Sequence, residues 1–236
     1  MTTRGKLIAI EGIDGSGKRT QLDLLARALE SRGIACVCVS FPRYDSSFGQ
    51  LVARYLNGDF GPLSAVDPHF SAMLYAGDRL EAKPELKAAL SAGKTVLADR
   101  YVASNLAHQT ARVALAQHDE FLNWLQRLEY SLYDLPAEDL VLFLRLPVSE
   151  AHRLVGMKKS RDYTALRRDL QEADVRHLQQ AALIYERLSS SPAWAAIDCV
   201  SPQTGVLLSP EAIHSAILAT IDARLPEFTR HAKGAR

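Results

Sequence analysis

Lys6-Leu7-Ile8-Ala9-Ile10-Glu11-Gly12-Ile13-Asp14-Gly15-Ser16-Gly17-Lys18-Arg19-Thr20 is the stretch whose reading decides the fold. Its short apolar run fits a buried strand, G-x-x-x-x-G-K follows at once, and Gly17–Arg32 then carries Leu22, Leu25, Ala26 and Leu29 at the spacing of an amphipathic helix. A strand breaking into such a turn and re-forming as a helix is a way of holding a triphosphate. Glycines let backbone N–H groups converge on the oxygens without steric penalty. The helix N-terminus adds the positive end of its dipole, and Lys18 adds a mobile charge for the outer phosphates. Gly12, Ile13, Asp14, Gly15, Ser16, Gly17, Lys18, Arg19 and Thr20 are therefore the expected triphosphate-binding residues. A glycine-rich turn that merely precedes a helix is the competing reading, and the agreement of strand, glycine spacing, lysine and helix weighs against it. One departure stands out: Arg19 occupies the place where Ser or Thr usually holds Mg²⁺, and the hydroxyl comes one residue later, at Thr20.

Outward from the loop, short apolar runs alternate with longer amphipathic stretches, the pattern of a parallel sheet covered by helices on both faces. The expected strands are Lys6–Ile10, Ile34–Phe41, Thr95–Asp99, Leu140–Leu146 and Ala193–Cys199. The expected helices, besides the first, are Asp67–Ser91, disturbed where Pro84 removes a donor, then Val102–Ala116, Asp119–Tyr133, Ser149–Val155, Asp169–Leu188 and Pro210–Leu225. Pro136 and Pro147 punctuate the changes between helix and strand. No internal repeat or low-complexity tract interrupts this order, and the tail over residues 227–236 is expected to fray.

With 236 residues, 28 Lys+Arg against 27 Asp+Glu and 47% hydrophobic content, the chain has the make-up of a globular enzyme of one large domain or at most two small ones. That composition excludes whole-chain disorder, collagen and coiled coil. A net charge of +1 argues against a nucleic-acid coat protein, so cations that meet phosphate must be gathered locally. Leu7-Ile8-Ala9-Ile10 is too short for a signal-peptide core, and no run approaches the roughly 18 apolar residues of a membrane span, so a cytoplasmic address is expected. Three cysteines, Cys36, Cys38 and Cys199, fit a reduced compartment. A metal or redox pair at Cys36 and Cys38 is one reading; small apolar fillers of a buried strand is the favoured one.

Several signals choose among phosphate-loop proteins. No N-K-x-D sequence marks guanine, and the strand ending in Asp99-Arg100 offers one metal carboxylate without the second acid of a water-activating ATPase. Transfer to a bound acceptor is the better fit. Glu11–Gln21, Phe41-Pro42-Arg43-Tyr44, Tyr75-Ala76-Gly77-Asp78-Arg79 and Asp99-Arg100-Tyr101-Val102-Ala103-Ser104-Asn105-Leu106-Ala107-His108-Gln109 then follow in order. Together they resemble the thymidylate kinases, and the likeness continues through Leu140–Arg153 and Asp169–Tyr185, across most of the chain. The loop is common to many NTPases, whereas Asp99–Gln109 is far more specific.

The resemblance implies a single α/β domain with a three-layer phosphate-loop kinase fold, its five-stranded parallel sheet in the order 2-3-1-4-5 and a mobile lid. It also implies ATP- and Mg²⁺-dependent phosphorylation of dTMP to dTDP in dTTP synthesis, by a homodimer whose partners are small nucleotides, with no role for nucleic acid or membrane. By the same resemblance Tyr75 stacks on the pyrimidine, Arg79 and Asn105 hydrogen-bond its edge, and Phe41, Pro42, Tyr44 and Ser104 belong to the same pocket. Arg43 and Arg100 are guanidinium forks suited to the acceptor's phosphate. Either can instead be a structural ion-pair partner, and Arg100, just past the carboxyl end of a parallel strand, has the stronger claim.

Asp14 is a carboxylate inside an anion-binding loop and needs a cation or a sugar hydroxyl beside it; a turn-forming Asp before Gly is the simpler alternative. The expected metal ligands are Asp14, Asp99 and Glu172, the last from an acidic helix start that also includes Asp169 and Asp174. His108 stands where the family usually has Tyr or Phe, which leaves open a kinase for another deoxynucleotide or modified pyrimidine monophosphate. Residues 153–168 hold six basic residues, Arg153, Lys158, Lys159, Arg161, Arg167 and Arg168, against Asp162 alone. That run reads either as a solvated face or as a lid over ATP, and the lid reading is adopted. Some relatives place an arginine within the loop, and this chain has Gly15 there. The expected lid cation for the transfer is therefore Arg161 first, with Lys158 and Lys159 behind it, and these join Lys18, Asp14 and Arg100 as the expected catalytic residues. A nucleotide-binding protein without transfer chemistry is the remaining alternative, motivated by Arg19.

Overall fold

The computed structural model describes residues 4–156 and 175–229. Five parallel strands, β1 (Leu7–Glu11), β2 (Cys36–Ser40), β3 (Thr95–Asp99), β4 (Leu140–Arg145) and β5 (Trp194–Asp198), form one sheet in the order β2-β3-β1-β4-β5, as expected. In register, Ile10 pairs with Asp99 and Ser40 with Asp99, so the carboxyl ends of β1, β2 and β3 finish level at one edge of the sheet.

Strand alternation splits β1 between two cores. Ile8 and Ile10 face one side, packed with Leu22, Leu25, Leu142, Leu144 and Ile217, while Leu7 and Ala9 face the other with Leu86, Val96, Leu125 and Val141. Helices cover both faces: α1 (Lys18–Ser31), α2 (Ser47–Leu56), α3 (Pro68–Ser91), α4 (Val102–Thr110), α5 (His118–Gln126), α6 (Val148–Gly156), α7 (Val175–Leu188) and α8 (Pro210–Arg224).

Five details differ from the sequence reading. Helix α2, capped by Ser46 Oγ accepting from Gly49 N, was not expected; it buries Val52, Tyr55 and Leu56 against Leu74 of α3 in a small third core. Helix α3 runs unbroken through Pro84, which sits on the solvent face where water can meet the carbonyl it leaves without a donor. Helix α4 ends at Thr110, not Ala116, because Arg112 N and Val113 N turn to carbonyls three residues back. Strand β2 is an edge strand, so its cysteines do not fill a buried layer: Cys38 is exposed and Cys36 half-buried, its thiol pushed up to about 12 by burial first and by Cys38 second. The tail does not fray at 227, since Phe228 packs into the core beside Ile221 and Leu225. No helix among the described residues is long and apolar enough to cross a membrane.

Candidate active site

The loop between β1 and α1 is shaped by glycines where no other residue fits. Gly12 has φ +142°, and a Cβ there would lie 2.7 Å from the Leu144 carbonyl oxygen; Gly15 has φ +92°, and its Cβ would lie 2.5 Å from that of Ala151. The second contact leaves no room at Gly15 for a side chain. Gly17 ends the loop without a side-chain cap, so the first N–H groups of α1 point out unpaired by any cap. Lys18 folds back over the loop, its Nζ donating to Gly12 O at 2.9 Å and Ile13 O at 3.1 Å. Burial, and then Arg100, bring its pKa down to about 8.

Beside the loop, at the carboxyl ends of β1, β2 and β3, lies a cleft of about 220 Å³. This is the crevice where open parallel sheets hold ligands. Of the expected residues, Asp14, Phe41, Pro42, Tyr44, Tyr75, Arg79, Asp99, Arg100, Ser104, Asn105 and His108 line it. Arg100 takes a left-handed φ of +67°, and its Nη2 donates to Asp14 Oδ1 at 2.5 Å while Nη1 donates to Ser104 Oγ at 3.0 Å. Asp14 thus has the cation that its position in the loop demanded.

His108 is buried between two cations or potential cations, and desolvation, Arg100 and His177 hold its pKa well below the ordinary 6.5. Arginine only donates, so the 3.5 Å contact from Arg100 Nη1 makes His108 Nε2 the acceptor, and Nδ1–H then donates to His177 Nε2 at 3.2 Å. The cleft therefore sees a neutral imidazole.

Some expected residues lie elsewhere. Arg43 is not on the cleft wall: its backbone N and Nε donate to the buried Asp78 carboxylate at 2.7 and 3.1 Å, the ion-pair alternative weighed from the sequence. Arg19 is exposed and reaches Asp23 and Ser40 Oγ, while Thr20 is exposed and lines a separate surface hollow with Asp23, Arg27 and Pro210. Lys158, Lys159, Arg161 and Glu172 fall outside the described residues, as do Asp162, Arg167, Arg168, Asp169 and Asp174. Arg153 is on α6, paired with Glu150.

Two carboxylates that sequence reasoning missed hold the site in shape. Glu11, fully buried at the end of β1, accepts from Tyr101 N, Ser104 N, Ser104 Oγ and Tyr185 Oη at 2.6–3.2 Å, fixing the start of α4 to the loop; burial pushes its pKa up. Glu129, also fully buried, accepts from Arg79 and Asn105. It lies in a π-helical stretch, Arg127–Leu132, that continues α5. The sequence carried a signal for it: a Glu at helical spacing from Leu122 and Leu125, inside the apolar stripe.

Sheet order, loop and cleft define a phosphate-loop kinase of the nucleoside monophosphate class. Comparison with known proteins narrows this. The thymidylate kinase family model matches residues 10–202. The thymidylate kinase of Mycobacterium tuberculosis is 32% identical over 185 residues, 78% of this chain and 86% of that protein. The human thymidylate kinase is 34% identical over 148 residues, 63% of this chain and 64% of its own length. The solved structure of thymidylate kinase from Candida albicans has the same fold, with a TM-score of 0.73 at 21% identity over 94% of this chain and 93% of that one. The chain belongs to the thymidylate kinase family, ATP-using enzymes, and its reaction is the phosphorylation of dTMP to dTDP.

Proposed function

We propose that the cleft between β1 and β3 holds dTMP, that the loop from Gly12 to Lys18 grips ATP, and that the phosphoryl group crosses between them past Arg100. The observation that carries this reading is the Arg100–Asp14 pair, which sits where the loop meets the cleft. Arg100 turns from Asp14 to the acceptor's phosphate, whose oxygens match its fork. Lys18 leaves the loop carbonyls for the outer phosphates of ATP, and the charge spread over the transferred group is met by fixed cations, with no strong base needed. Tyr75, Phe41, Pro42 and Tyr44 enclose the base, and Arg79 and Asn105 read its edge. Arg43 supports this wall through Asp78. The closed Gly15 position makes the lid, with Arg161, Lys158 and Lys159, the source of the remaining cation.

Asp14 and Asp99 line one cleft, which suits Mg²⁺, an ion held by one or two carboxylates together with substrate phosphates and water. With Glu172 they would hold it, and its charge would neutralise the phosphates. We assign the whole chain to one domain and the active form to a homodimer, with the exposed apolar Phe70, Met73 and Leu80 on α3 as its contact. A reducing, cytoplasmic setting accords with three free thiols. A wider acceptor range is the second reading, favoured by the neutral, hydrogen-bonding His108 on the cleft wall. The test is kcat/KM for dTMP, dUMP, UMP, dCMP and dGMP with ATP. The expected order has dTMP first, and a preference for another monophosphate overturns the narrow reading. Arg100→Ala is expected to lower kcat by about 10²–10³, as loss of a transition-state donor does.

A further inference from the structure

We propose that Glu129 is a positioning residue that selects the pyrimidine, by locking the Asn105 amide in one of its two flips so that the cleft takes an imide base, thymine or uracil, and rejects cytosine. This rests on the cleft being the base site.

The lock follows from what can donate and what can accept. A side-chain amide has an acceptor oxygen and a donor NH₂ group, and only its neighbours decide which way it points. Asn105 Nδ2 donates to Glu129 Oε1 at 2.7 Å and to the Ala72 carbonyl oxygen at 3.0 Å. Both partners accept only, so the edge that faces them has to be the NH₂. Oδ1 is consequently turned away from them, and it is buried without a partner on a residue of the cleft wall. The same carboxylate takes Arg79 Nε at 2.9 Å and Arg79 Nη2, so one group sets both residues of the base-reading edge.

That edge therefore offers an acceptor beside a cation. A ring N–H next to an exocyclic carbonyl, the imide edge of thymine and uracil, satisfies both. Cytosine presents a ring nitrogen acceptor and an amino donor, which would set acceptor against acceptor and donor against donor. Sites built to hydrogen-bond a substrate reject the mismatched analogue strongly, because buried groups are left unpaired. Glu129→Gln weakens the lock: a carboxamide can turn its own NH₂ toward Asn105, and the Asn105 amide is then held in its flip by the Ala72 carbonyl alone, so that the flip placing its donor in the cleft costs less.

The experiment compares the full chain with Glu129→Gln and Glu129→Asp, measuring kcat and KM for dTMP, dUMP and dCMP at saturating ATP, with melting curves to verify folding. Glu129→Gln is expected to lower the dTMP-to-dCMP ratio of kcat/KM at least tenfold, the loss falling on KM for dTMP more than on kcat, with dUMP following dTMP. Glu129→Asp, whose shorter carboxylate holds the amide less tightly, is expected to lower the ratio severalfold, and it decides the matter if the Gln variant does not fold. An unchanged ratio in a folded variant, with equal losses on all substrates, overturns the proposal and leaves Glu129 a structural ion-pair partner. The underlying base-site reading is tested separately with dTMP methylated at N3 and the unaltered protein. Efficient phosphorylation of that analogue refutes the base site, whereas its rejection together with an unchanged ratio refutes Glu129 alone.

Discussion

Lys18 offers a quantitative test, because the same burial that places it over the loop penalises its charge. Its pKa falls from 10.5 to about 8, with burial the largest cause and Arg100 the next. At about 1.36 kcal/mol per pH unit, the charged lysine costs the nucleotide-free fold about 3 kcal/mol. The sign follows from proton counts. Between pH 8 and 10.5 the unfolded chain keeps the proton that the folded chain has released, so stability rises with pH across that window. Other groups titrate there too, so the measure is a difference: urea unfolding of the nucleotide-free protein and of Lys18→Met from pH 7.5 to 10.5. The unaltered protein should gain about 3 kcal/mol relative to the variant over that range. Triphosphate reverses the balance by restoring the charge, so ATP binding near pH 9 should take up close to one proton in the unaltered protein and none through this group in Lys18→Met. Titration calorimetry in two buffers of different ionisation enthalpy reads that number. A stability difference that stays flat with pH refutes the buried, depressed lysine.

Two further predictions use the same geometry. Gly15→Ala forces a side chain into a left-handed loop against the Ala151 carbonyl, and should cost ~1–3 kcal/mol of stability, seen as a lower melting temperature with weakened ATP binding; an unaltered melting curve would show that α6 yields at this contact. His108, held neutral by burial, Arg100 and His177, should make the fold lose stability as pH falls below the ordinary histidine value of 6.5, because the unfolded chain then takes up a proton the folded chain refuses. His108→Phe should flatten that acid limb in urea unfolding at pH 7.5 and 5.5, and an identical slope in both proteins would count against a neutral His108.

Much of this was legible along the chain because it depends on local order. The parallel sheet and the phosphate loop follow from strand, glycine spacing and helix in succession, the 2-3-1-4-5 order came from the family resemblance, and the segments that carry the resemblance are contiguous runs. What stayed hidden depends on partners distant in sequence. Strand position favoured Arg100 over Arg43 as a phosphate ligand, but the partners of both were hidden: the packing of α3 gives Arg43 to Asp78, and the contact of β3 with the loop gives Arg100 to Asp14. The exposure of Cys38 depends on which strand ends the sheet, and helix α2 on a third core formed with α3. Glu11 was silent for the same reason, and Glu129 showed only its place in an apolar stripe: the role of either carboxylate is fixed only once its donors, 90 and 50 residues away for Tyr101 and Arg79, are brought to it. Sequence alone determined which groups the protein has for phosphate chemistry. Tertiary structure decided which of them face the cleft, because burial obliges each polar group to find a partner, and the fold alone settles which partner is within reach.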